Sequence, residues 1–487
     1  MNTPRMLPAF PTRSSGAARL VLTLAVLVAT AVPGAPPVRA DTGAEGLVDA
    51  YRSAYDTPGM AVAVIDGSSD ETILRGHDGD GEAVTEDTRF RIASMSKPMT
   101  AAAVMLLVER GDFALDDPVV DVLPEFTMAD PRSREITVRQ LLSHTSGLSI
   151  TTNNEYAFPP PRSAADVVAE LSDKELAADP GERWEYHNTN YSVAARIVEE
   201  VSGEPYNAFL ASELFAPLGM DDTTATLGCS DPAEGLASGY EVVLGAAVAV
   251  PEMPGRCVGN GGVVSTLGDM VRWVRFNQGA LDTGLLSEES LEEMHAAQPG
   301  AEEYGLGWEV RPDPAGGDAP LVAHGGTLAT WTGDMAFVPD TGTAVVVLTN
   351  GVGAPSLLTN NLLAERAGVE TTPMNNPLTI VNAVLLGLTL AAGALLTTAV
   401  VRARRWALRR RGARRPRVVL RLIPLGLVTA LGLFLPTLIG AQGGSFSFQY
   451  WIVVVWLMPL LVLFSAVCLV LGAVALTRRI WCYRRLR

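Results

Sequence analysis

The sequence predicts an α/β (α+β) protein: an antiparallel sheet flanked by helices, a mostly helical subdomain, and then three transmembrane helices. Three observations predict it. Strand-like segments near residues 59–75 and 335–348 enclose a helix-periodic middle from Phe90 to about Met294, which suggests one sheet built from both ends of a domain. Three long apolar runs follow residue 378, each able to cross a hydrocarbon core of about 30 Å as a helix. Charge is also segregated. All 53 carboxylates fall in residues 41–377 beside 18 basic side chains, a net of −35, whereas residues 1–40 carry four arginines and residues 378–487 fifteen, with no acid in either. The formal net charge of −16 therefore describes no single part of the chain.

Residues 1–40 read as a signal peptide, with Arg5, Arg13 and Arg19 before an apolar stretch from Leu20 to Val32. Val38-Arg39-Ala40 fits a small-x-small cleavage site, so the mature chain is expected to begin at Asp41; an uncleaved anchor is the alternative. The outer domain, 41–367, opens with a strand from Gly59 to Ile65, a turn at Asp66-Gly67 and a hairpin partner from Glu71 to Arg75. Strands return at Met335–Val338 and Thr343–Leu348 around a Pro339–Gly342 turn, and a helix from about Pro355 to Ala367 closes the domain. Residues 368–377 form a polar linker.

In the three-helix domain, 378–487, the apolar runs are Leu378–Val401, about Val418–Ala441 and about Tyr450–Leu476. The first two are joined by 402–417, which holds nine arginines; the last two are joined by an uncharged stretch. The positive-inside rule places the arginine loop and C-terminus in the cytoplasm, and hence the acidic domain outside a cell membrane crossed several times. The arginines then serve as topology determinants, with membrane lipid as the partner of the helices. Nucleic acid is excluded as a partner of the acidic domain. The helices contain no carboxylate or histidine, which argues against ion coupling.

The chemistry is narrower. The histidines at 77, 144, 187, 295 and 324 show no metal-ligand spacing, no phosphate or dinucleotide loop occurs, and no metal or cofactor is expected. Ser94-Met95-Ser96-Lys97 stands out because the chain has only two lysines; chance predicts about 0.1 Ser-x-x-Lys matches. Residues three apart on a helix share a face, so the Lys97 amine can reach the Ser94 hydroxyl. A desolvated, neutral lysine can take the proton that otherwise makes serine a poor nucleophile. Cys229 and Cys257 are alone in the outer domain, and an oxidising compartment predicts a disulfide between them. Cys468 and Cys482 read as inert.

The ordered set Ser94-x-x-Lys97, Tyr186-His187-Asn188 and His324-Gly325-Gly326 resembles the serine β-lactamase and penicillin-binding-protein superfamily, in the class C branch that also holds D-peptidases and esterases. Leu141–Leu148, Pro217–Met220, Gly261–Thr266 and Tyr304–Trp308 fall in order between these motifs, and the resemblance spans about Ala44 to Leu363. It implies a β-lactamase/transpeptidase-like fold and a set of roles. Ser94 would be the acylated nucleophile, Lys97 its general base or proton partner, and Tyr186 a proton relay to the leaving group, alone or with Lys97. Asn188 would bond Lys97 or a substrate amide, and Gly326 lets a strand approach the substrate, with Asn188, His324, Gly325, Gly326 and Thr327 as the substrate-binding set. The amides of Ser94 and Thr327 form an oxyanion hole. His144 is assigned to structure. His324 stands where typical class C β-lactamases carry lysine, which points away from efficient β-lactamase action and towards a D-amino-acid-specific peptidase or esterase acting on a small-molecule or peptide substrate. Two alternatives stay open: a β-lactamase or D,D-carboxypeptidase, and a non-catalytic penicillin-binding sensor. As to whether His324 contacts substrate or is a β-sheet histidine without a charge role, both readings are kept.

Overall fold

The computed structural model describes residues 43–67, 69–156, 158–281, 283–317, 319–440 and 450–486; the signal-peptide reading of 1–40 lies outside them. The chain divides into a larger unit, followed here from residue 43 to Asn376 and including residues 440 and 450–457, and a helical unit made of Pro377–Ile439 and the residues from Met458 onward.

The strands of the larger unit are β1 (Gly59–Asp66), β2 (Ser69–Gly76), β3 (Phe90–Arg91), β4 (Thr224–Ala225), β5 (Gly239–Val243), β6 (Ala246–Val250), β7 (Val263–Ser265), β8 (Glu309–Arg311), β9 (Leu321–Thr327), β10 (Thr332–Phe337) and β11 (Thr343–Thr349). The main sheet is antiparallel, in the order β2-β1-β11-β10-β9-β8. The N-terminal hairpin thus adds to the C-terminal strands through β1 and β11, with Val62 opposite Val347. Successive side chains of a strand face opposite ways, and both faces of this sheet are covered, so β1 and β11 are almost continuously apolar.

Met60, Val62, Val64, Val345 and Val347 pack on α1 (Ala44–Tyr55) and α5 (Pro355–Arg366). Ala61, Ala63, Ile65, Val346 and Leu348 face the helical middle, which includes α2 (Lys97–Glu109), α3 (Thr189–Ser202) and α4 (Leu267–Asn277). Helix α2 is buried on every side from Lys97 to Leu107, as befits a helix that is apolar all round. The middle also holds the short sheet β3-β7-β4 and the hairpin β5–β6, which its helical periodicity did not announce.

In the helical unit, α6 (Pro377–Val401), α7 (Arg415–Gly440) and α9 (Pro459–Leu486) are each long and apolar enough to cross a membrane. Gly432 and Gly472 let α7 and α9 approach closely: a Cβ on Gly432 would lie 2.5 Å from the Leu469 amide nitrogen, and one on Gly472 would lie 2.5 Å from Thr429 Oγ1. The third apolar run is not one helix. It breaks into α8 (Tyr450–Leu457) and α9, because Pro459 lacks an amide proton and disfavours helical backbone at Met458.

Candidate active site

Ser94 sits in a single 3₁₀ turn, Ala93–Ser96, that runs directly into α2 at Lys97. Pro98 lies in the first helical turn, where a missing amide proton costs no helical bond. The preceding residue, Ala93, has φ +51°, a left-handed conformation that costs a non-glycine residue about 1–2 kcal/mol. Several contacts hold it. The Ser96 hydroxyl donates to the Ala93 carbonyl at 2.6 Å and accepts from the Val263 amide at 3.1 Å. Gly326 of β9 approaches so closely that a Cβ would lie 2.3 Å from the Ile92 carbonyl oxygen. The resemblance assigned that glycine to close approach of substrate; here it admits the turn that carries Ser94.

Lys97 has no solvent exposure, and its Nζ lies 2.9 Å from Ser94 Oγ. The same nitrogen donates to the Asn260 carbonyl at 2.8 Å, and the rings of Tyr186 and Tyr191 lie 4.8 and 5.7 Å away. Burial lowers the ammonium from 10.5 to about 7, with Glu155 and Glu309 opposing the drop. A large fraction of the amine is therefore neutral at physiological pH. The Tyr186 hydroxyl hydrogen-bonds Ser94, and burial raises it well above 10. Tyr186 is thus protonated at neutral pH, and of the two groups Lys97 is the better suited to accept a proton. Its ring packs 4.4 Å from that of His144, which is buried at φ +61° and accepts from the His187 amide and Asn190 Nδ2. His144 shapes the site from behind.

Ser94, Tyr186, Asn188, Gly325, Gly326 and Thr327 line one cleft of about 700 Å³. Cys229 and Cys257 are disulfide-bonded and border it, tethering the segment whose Asn260 carbonyl holds Lys97. Two residues behave differently from the roles the resemblance implies. Asn188 donates through Nδ2 to Glu155 Oε2 at 2.8 Å rather than bonding Lys97. His324 is buried behind the wall: Nδ1 meets the Gly325 carbonyl at 2.7 Å, which only a donor satisfies, so Nε2 accepts from the Tyr304 hydroxyl at 3.0 Å. Burial pushes its pKa down to about 4, against the pull of Glu309, so the ring is neutral and both nitrogens are engaged.

The motifs did not reveal Glu155, Glu252, Asn260 or the Glu309–Arg311–Asp334 cluster. Burial pushes the Glu155 carboxyl up, but His187, Arg256 and the Asn188 amide outweigh it and hold the group down to about 2. Glu252 accepts from the amides of Ala329 and Thr330 and so fixes the loop after β9. Asn260 acts through a backbone oxygen, for which side-chain identity is no signal.

Residues 44–368 match the Beta-lactamase family. The chain belongs to the β-lactamase family. Members of this family are serine hydrolases that work through an acyl-enzyme, and this chain is one of them. It is 33% identical over 358 residues to penicillin-binding protein 4 of Amycolatopsis lactamdurans, covering 66% of this chain and 89% of that one. Among solved structures it is similar to an octameric penicillin-binding protein homologue from Pyrococcus abyssi, with TM-score 0.59 and 26% identity over 67% of this chain and 77% of that one. A D-stereospecific amidohydrolase from Streptomyces sp. aligns with TM-score 0.54 and 26% identity over 66% of this chain and 98% of that one.

Proposed function

We propose that this β-lactamase-family protein is a membrane-anchored, extracytoplasmic hydrolase of D-aminoacyl peptides or esters, acylated at Ser94. The observation that carries the reading is a fully buried Lys97 amine, held near pKa 7 and 2.9 Å from Ser94 Oγ. As Ser94 Oγ attacks the substrate carbonyl, Lys97 Nζ accepts its proton. The amides of Ser94 and Thr327 receive the developing oxyanion, the interaction worth most in acyl transfer. Tyr186, bonded to Ser94, hands its proton to the leaving group and is reprotonated by the Lys97 ammonium, so the serine proton ends on the leaving group; water then releases the acyl group by the reverse route.

A D-stereospecific amidohydrolase of the same fold supports the choice of D-aminoacyl groups. The neutral, fully engaged His324 weakens the β-lactamase and D,D-carboxypeptidase alternatives, which need a cation to grip a substrate carboxylate. Three long apolar helices and the arginine-rich 402–417 support anchoring with the hydrolase unit outside. Turnover of paired D- and L-alanyl p-nitroanilides by the full chain tests the reading. Hydrolysis of the D compound, with little of the L, is expected; preference for the L compound would overturn it.

A further inference from the structure

Beside the nucleophile the cleft is walled by Glu155 and Asn188, and their hydrogen bonds set the polarity of that wall. Glu155 accepts from the Asn188 backbone amide at 2.6 Å, from Asn188 Nδ2 at 2.8 Å and from His187 Nδ1 at 2.5 Å. Asn188 therefore commits donors to Glu155, and its Oδ1 is buried with no partner among the described residues. A carboxylate has about four acceptor positions, so Glu155, 12% exposed at its side chain and lining the cleft, keeps one for a ligand.

The cations of the wall each have a carboxylate partner. Arg311 is paired with Glu309 and Asp334; buried Arg256 donates to Thr189 Oγ1 at 2.7 Å, lies 3.8 Å from Glu170 and is stabilised by the charge of Glu155, with its Nε without a partner among the described residues. His324 is neutral and has both ring nitrogens engaged. Glu155, Glu252, Glu309 and Asp334 thus outnumber Arg256 and Arg311 around the cleft. A substrate carboxylate finds no unpaired cation among the described lining residues, whereas a substrate cation meets surplus negative charge and a spare acceptor.

Building on the D-aminoacyl hydrolase reading above, we infer that the preferred acyl group carries a free, protonated amine held by Glu155. The substrates are then N-terminally unblocked aminoacyl amides or esters, and neither N-acylated nor carboxylate-terminated compounds fit as well.

The test is competition against a fluorophosphonate probe that labels Ser94, using the full chain in detergent. D-Alanine amide should slow labelling at a concentration about 10- to 100-fold lower than N-acetyl-D-alanine amide, the range for one charge-assisted hydrogen bond. In Glu155→Gln the ratio should fall towards one. Each ratio is measured within one preparation, so a reduced folded fraction does not alter it, and the wild-type ratio decides alone if the variant does not fold. Equal protection, better protection by the N-acetyl compound, or protection by neither overturns the inference. Absence of labelling at Ser94 defeats the acyl-enzyme reading beneath it, a distinguishable result.

Discussion

Replacing Lys97 with methionine should abolish the base and yet stabilise the protein at neutral pH. In the folded chain the ammonium titrates at about 7, against 10.5 as its ordinary value. Below about pH 7 both states carry the proton, and the folded state bears the whole cost of a buried charge, roughly 5 kcal/mol at 1.36 kcal/mol per pKa unit. Between pH 7 and 10.5 the unfolded chain holds more protons than the folded one, so stability rises with pH and the cost fades. Methionine removes that cost and fills much of the space, but leaves the Asn260 carbonyl without its donor, a loss of about 1–3 kcal/mol. The net gain at pH 6.5 is roughly 2 kcal/mol or more. Calorimetric unfolding of wild type and Lys97→Met at pH 6.5, 8 and 9.5 measures it, alongside acylation by a serine-directed probe, which should fall about 10²- to 10⁴-fold. The variant should melt higher at pH 6.5, with the gap closing as pH rises. A variant less stable than wild type at pH 6.5, by a margin independent of pH, would refute the neutral buried amine.

Gly326→Ala drives a Cβ into the Ile92 carbonyl and should cost about 1–3 kcal/mol while slowing acylation of Ser94; unchanged denaturant midpoint and labelling would contradict the close approach. Converting both Cys229 and Cys257 to serine opens a 28-residue loop and should cost about 3–4 kcal/mol, read as a lower melting temperature. In a background lacking Cys468 and Cys482, an impermeant maleimide applied to intact cells should modify Glu86→Cys and leave Gly412→Cys untouched; the reverse pattern would invert the proposed topology.

Much of this was legible in the chain because the signals were strong and local. The apolar runs of β1 and β11 and the turn after β10 marked the sheet's ends, and the charge boundary near residue 378 marked the helical unit. Ser94 and Lys97 were conspicuous because lysine is so scarce here. Other features were hidden for physical reasons. β9 carries His-Gly-Gly in its centre, which weakens any strand pattern, and β3 and β4 are only two residues long. The apolar run at 450–476 looked continuous because Pro459 was read by its apolar character and not by its missing amide proton. Glu155 reaches the site from a loop 33 residues before Asn188, and its proximity exists only in the fold.

The central claim is tested most directly by mass spectrometry of the full chain after brief reaction with D-alanyl p-nitrophenyl ester, followed by peptide mapping. The account predicts one transient acyl adduct on the peptide containing Ser94, lost with time and absent in Ser94→Ala. An adduct that persists in Ser94→Ala at another residue would contradict it.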